Sequence, residues 1–149
     1  MIRKDLVVGG LPVRVETRVL EPDFMLEACT RVSAASVSPL TLDLLVQRPG
    51  LFAGRCHLPA GAAAAFTLRP HGRLRIDVEC SDERMARELL SAELQRAFAP
   101  LPGGSMLRYE DGFTRVLMPG ARRGDRDVDA AIAVTCIACR HVRVESGYR

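Results

Sequence analysis

RLRIDVECSDERMARELLSAELQRAF, residues 73–98, is the stretch whose reading decides the fold, because its hydrophobic period changes in the middle. Leu74, Ile76 and Val78 alternate with Arg73, Arg75, Asp77 and Glu79, the pattern of a strand with one buried and one wet face. After Cys80 the period lengthens, and Met85, Leu89, Leu90, Leu94 and Phe98 draw a helical stripe. Ser81 is placed to cap that helix, Asp82 and Glu83 suit its positive first turn, and Pro100 and Pro102 end it. A strand running straight into an amphipathic helix points to an α+β domain.

Upstream, period two persists from Leu40 to Cys80, broken at Pro49-Gly50, Pro59 to Gly61 and Pro70 to Gly72, which predicts a meander of about four antiparallel strands. Before it, Pro22 suits a first helical position, and Phe24, Met25, Ala28, Cys29 and Val32 recur at helical spacing. Residues 6–20 read as a β-hairpin around Gly9-Gly10, with Val13, Val15, Thr17 and Val19 on one face. Downstream, SMLRY and FTRVLM form a second hairpin turned at Glu110-Asp111-Gly112. The last element, Asp125 to about Arg143, contains strand-favouring Val134, Ile137, Val142 and Val144. Its stripe of Val128, Ala131, Ile132, Thr135, Cys136, Cys139 and Val142, with aspartates first and arginines last, predicts a helix. The expected architecture is α+β: an antiparallel sheet with three helices, ordered β-hairpin, helix, strand meander, helix, β-hairpin, C-terminal helix, in a single domain over 1–149.

Composition excludes several classes. With 149 residues, 48% hydrophobic and 26% charged, the chain has the balance of a globular domain long enough to build one core. Met1 to Leu20 lacks the apolar run of a signal peptide, and the most apolar window, Ala130 to Cys139, is too short to span a bilayer. The expectation is a cytoplasmic protein with no membrane partner. The net charge of +3 rests on arginine, with Lys4 the single lysine, and the absence of Trp leaves little for base stacking, so nucleic acid is not an expected partner.

Candidate chemistry is sparse. Cys136-x-x-Cys139 has the spacing of a zinc half-site, but a closed site needs four ligands and only Cys29, Cys56, Cys80, His57, His71 and His141 could complete it. Both thiols lie on the apolar stripe, so core cysteines are expected, with no metal and no cofactor. The histidines have no nucleophile or carboxylate at motif spacing and are expected to face solvent. Ser81 lacks the flanking glycines of a nucleophile elbow. Pro102-Gly103-Gly104-Ser105 leads into a strand, so it is no phosphate loop. Arg122, Arg123 and Arg126, with Arg140 and Arg143, read as a solvated cluster. An enzyme would need a constellation that is not visible, so the expected function is binding.

Three blocks, RLRIDVECSDERMARELLSAELQRAF, GGSMLRYEDGFTRVLMP and DRDVDAAIAVTCIACRHV, occur in an order that resembles the type III secretion chaperones of the effector-binding class. Those small subunits run helix, three strands, helix, two strands, helix. The resemblance implies a chaperone-like homodimer with a protein partner: Met85, Leu89, Leu90 and Leu94 would form the dimer interface, and strand faces around Leu42, Leu44 and Val46 would receive the effector. The alternative is a small apolar-ligand-binding domain with a pocket between the sheet and the C-terminal helix.

Overall fold

A computed structural model describes residues 2–21, 28–49, 56–70 and 74–142. Its framework is an eight-stranded antiparallel sheet with helices on one face, an α+β fold as the sequence predicts. The strands are β1 (Ile2–Val8), β2 (Leu11–Leu20), β3 (Ala28–Ala35), β4 (Asp43–Gln47), β5 (Ala64–Leu68), β6 (Ile76–Cys80), β7 (Met106–Glu110) and β8 (Phe113–Pro119). Their spatial order is β1-β2-β3-β8-β7-β4-β6-β5. The helices are α1 (Glu83–Leu89), α2 (Ala92–Phe98) and α3 (Asp125–Cys139).

Both predicted hairpins form, for the same backbone reason. Gly9 and Gly10 have φ of 54° and 83°, and Asp111 and Gly112 have 49° and 80°, the paired left-handed residues of a turn whose twist matches its strands. Arg140 Nη2 donates to the Val8 carbonyl beside the Gly9-Gly10 turn.

Other elements depart from expectation. The helix expected around Phe24 to Val32 is strand β3 over its described part, Ala28 to Val32, while Phe24 and Met25 lie outside the described residues. Its apolar residues fit both periods, and long-range pairing decides: β3 lies between β2 and β8 and bonds to both. The helix expected across 81–99 is two. Leu90 leaves helical geometry with ψ of 58°, and Ser91 Oγ accepts from Leu94 N–H at 3.2 Å to start α2. Ser91, which falls inside the span of the expected helix, is thus a cap. Asp82, not Ser81, caps α1, and Ser81 Oγ instead accepts from Asp43 N–H at 2.9 Å. The described residues of the meander hold three strands, and α3 is the helix that the stripe predicted.

One core fills the space between sheet and helices, joining Leu11, Val13 and Val32 to Leu44, Val46, Leu89, Leu94, Phe98 and Ala131. The other face of the sheet is unusual. Asp77 and Glu79, expected to be wet, are buried, as are Glu16, Glu21 and Arg108. Each is partnered: Arg31 donates to Glu16 and Glu21, Arg115 to Glu21, Arg108 to Asp43 and Glu110, and Arg75 to Asp77. Buried charges persist where such partners exist.

Candidate functional site: a cleft between two splayed strands

The register of β2 against β3 explains a recess in the described structure. Arg14 lies opposite Ser33, and the ladder stops there. Continuing it would set Pro12 against Ala35, and proline has no N–H to give a ladder. The strands part at this point, and the opening is a cleft of about 340 Å³. That volume lies at the lower end of the range of small-molecule sites.

Leu6, Val13 and Ala34 line the cleft, but by strand alternation their side chains turn to the helix-covered side and belong to the main core. The rim carries Pro12, Ala35 and Phe113, and Phe113 is 45% exposed, one of few large apolar side chains left open to water. Small residues at 33 and 35, on the same face as Arg14 and Phe113, keep the space clear, because bulk at either would fill it. Asp5, Arg14 and Ser33 make the polar end. Asp5 faces Arg14 across β1 and β2, and Arg14 faces Ser33 across β2 and β3, so all three share one side of the sheet. Arg14 Nε donates to Asp5 Oδ1 at 3.1 Å.

A second recess, beneath α2, is lined by Val46, Leu68, Ile76, Leu90, Leu94 and Phe98 among others. Its free space is about 10 Å³, close to the least that holds one water molecule. Size decides between them: only the cleft admits a ligand without moving the fold. Neither touches α3, which lies directly on β3, β8 and α2. A pocket was expected under the C-terminal helix, but Ala131, Val134, Ala138 and Cys139 are buried there against the strands.

The residues singled out from sequence fall elsewhere. Leu89, Leu90 and Leu94 are 1%, 5% and 1% exposed, covered by this chain's own sheet, while Met85 is partly buried. Leu42, Leu44 and Val46 are buried in the same layer, and Val46, Leu90 and Leu94 meet in the α2 recess. Cys136 and Cys139 are buried on α3, and burial pushes both thiols above their ordinary pKa. Cys139 Sγ donates to the Ala34 carbonyl. Among the described residues no group of His, Cys, Asp and Glu could hold a metal. His57 is exposed but does have a carboxylate partner, Glu79, 2.5 Å from its Nδ1; His71 lies outside the described residues. Of the arginine cluster, Arg123 is tied to the Pro119 carbonyl and to Asp127. No helix among the described residues is long and apolar enough to cross a membrane.

The cleft residues were not picked out from sequence. The available signal was a proline at the second position of a strand, with a run of small residues, Ser33-Ala34-Ala35, on another. Nothing local says that these two stretches become neighbours.

Fold and cleft together define an open antiparallel sheet, helix-covered on one face, with a recess where two strands part. No protein-family model matches the sequence, and no curated protein matches it. Among solved structures, the chain is similar to the crystal structure of the mycobacterial trehalose monomycolate transport factor A, TtfA, with a TM-score of 0.58. Identity is 13%, and the match covers 91% of this chain and 67% of that one. The likeness is one of fold. It overturns the resemblance to type III secretion chaperones, whose order of elements begins with a helix where this chain has β3 and keeps one helix where this chain has α1 and α2.

Proposed function

We propose that this protein is a binding module for a small amphipathic ligand, whose apolar part enters the cleft between β2 and β3. The observation that carries this reading is the cleft itself: about 340 Å³ of space, with Pro12, Ala35 and the half-exposed Phe113 along it. Pro12, Ala35 and Phe113 supply the apolar surface on the cleft's own side of the sheet, and burial against it is favourable by about 25 cal/mol per Å² of apolar area. The fold-sharing TtfA is described as a transport factor for trehalose monomycolate, whose name denotes a sugar joined to an acyl tail, which supports a ligand with one polar and one apolar part.

The test is titration with a hydrophobic fluorophore such as 1-N-phenylnaphthylamine, against wild type and Ala35→Trp. Ala35 is exposed on the rim, and an indole there fills the cleft in a strand position that favours aromatic residues. Wild type is expected to bind one equivalent, and the variant to bind at least about ten-fold more weakly while melting at the same temperature. Equal binding by both would remove the cleft as the site.

A further inference from the structure

We infer that the outer edge of β5 is a docking surface for a second copy of this chain, the two β5 strands pairing antiparallel about a two-fold axis at Phe66. This goes beyond the ligand reading and does not depend on it. The surface is also distinct from Leu89, Leu90 and Leu94, which this chain's own sheet covers.

The first observation is a contrast between the two edges of the sheet. β1 and β5 end the strand order, and among the described residues no strand pairs with the outer side of either. An open edge offers a row of free N–H and C=O groups to any other chain, and proteins usually blunt it with charge. Arg3, Lys4 and Asp5 blunt β1 in this way. β5 has no such guard, because Ala64-Ala65-Phe66-Thr67-Leu68 carries no charge, no proline and no glycine. The second observation is that the apolar layer stops short there. Ala64, Phe66 and Leu68 pack on the core but are only partly buried, while Cys80, Val78 and Ile76 directly opposite them on β6 are 0%, 1% and 1% exposed. One more strand would close the layer.

The strand suits pairing with itself. Opposed residues of an antiparallel pair lie on one face, so with Phe66 on the axis the two phenyl rings meet, Leu68 falls opposite Ala64, and Thr67 falls opposite Ala65. Large meets small on the helix side, and the outer face brings only a methyl against a hydroxyl-bearing side chain. Charges beside the edge do not oppose the approach: Arg87, which lies over the Phe66 ring at 4.0 Å, is bonded to Glu83, and Arg84 faces Glu88. A two-fold axis uses the same edge twice and leaves the charged β1 outside in each copy, so the assembly closes as a dimer with one continuous sheet. The clefts between β2 and β3 lie toward the far end of the strand order and stay open. A contact built on one five-residue strand is small, so the dimer should be weak, with a Kd on the order of 10–100 µM.

The experiment is sedimentation velocity on the full chain from about 1 to about 300 µM, across which the mass of wild type should rise from 16.3 kDa toward twice that value. Two double variants at the exposed positions of β5 test the register. Ala65→Lys with Thr67→Lys sets lysine against lysine twice across the axis and should weaken the dimer at least about ten-fold. Ala65→Lys with Thr67→Glu sets lysine against glutamate twice and should restore it. Within one copy these positions lie opposite Glu79 and Asp77, so the lysines suit the fold. Folding is checked by the melting temperature at about 1 µM and by affinity for dodecanoate, an amphipathic probe of the cleft, both of which should match wild type. A wild type that keeps the mass of one chain throughout would overturn the proposal and leave the edge to an extended segment of another protein. A dimer indifferent to the paired lysines would overturn it by placing the contact elsewhere. A lysine-and-glutamate variant as monomeric as the paired lysines would overturn the Phe66-centred register, and species heavier than two chains would contradict the two-fold axis.

Discussion

Two recesses, one inside the apolar layer under α2 and one on the sheet face away from the helices, are opposite in kind. Under α2 the space is walled by long side chains, Leu90, Leu94 and Phe98 against Val46, Ile76 and Leu107, which interdigitate until about 10 Å³ is left. Between β2 and β3 the space is walled by small or rigid ones, Pro12, Ser33, Ala34 and Ala35, and about 340 Å³ stays open. The first gap is residual imperfection in a packed core. The second follows from backbone chemistry, because a proline ends a ladder that side chains do not close over. Residues of the first should therefore govern stability, and residues of the second binding.

The largest effect expected from that division is at Leu94. Leu94→Ala removes a side chain 1% exposed in the middle of the packed layer and should cost about 2–5 kcal/mol in urea unfolding. Its dodecanoate affinity, measured well below the melting temperature, should stay unchanged. A stability loss under about 1 kcal/mol would mean that the α2 gap is loose, and would break the contrast.

A smaller loss is expected at Arg48, which follows β4. Its Nη1 donates to the Ala99 carbonyl at 3.0 Å and also to the Leu101 carbonyl, beyond the end of α2. A cation at that position satisfies carbonyls that the helix leaves open and complements its dipole. Arg48→Met keeps the aliphatic stem and should lower stability by about 1–2 kcal/mol. An unchanged melting temperature would show that α2 is held by its leucines alone. Ser91→Ala, removing the cap between α1 and α2, should cost about 1 kcal/mol, read from the same melt.

Least of all, and visible only at high pH, are the thiols. Burial raises the pKa of Cys80, Cys136 and Cys139, so the folded chain holds these protons more tightly than the unfolded one. Their contribution is complete below the unfolded thiol value of about 8.5 and is lost as the pH rises through the folded values. The urea midpoint should fall above that pH, less steeply in Cys136→Ala than in wild type. Parallel pH profiles would contradict the burial argument.

Much of this fold was readable from local chemistry. The Gly9-Gly10 and Asp111-Gly112 turns, the strand through Ile76 and Val78 and the stripe of α3 all announce themselves within a few residues. What failed was what depends on distant partners. Ala28 to Val32 reads as a helix until β8 is known to lie alongside, and Asp77 and Glu79 read as wet until Thr67 on β5 and His57 are known to bond to them. Ser91 fits a helix interior by spacing alone, and only its Oγ bond to Leu94 N–H marks the break. The cleft was illegible for the same reason: Pro12 and Ala35 come together only through the register of β2 on β3.

The claim that the cleft, and not the packed layer, takes the ligand is tested most directly by backbone NMR during a titration with dodecanoate. The amides of Leu6, Val13, Arg14, Ser33, Ala34, Ala35 and Phe113 should shift together along one saturating curve, with Leu90, Leu94 and Phe98 unmoved. Saturating shifts centred on Leu90, Leu94 and Phe98, with the β2–β3 amides silent, would contradict the account.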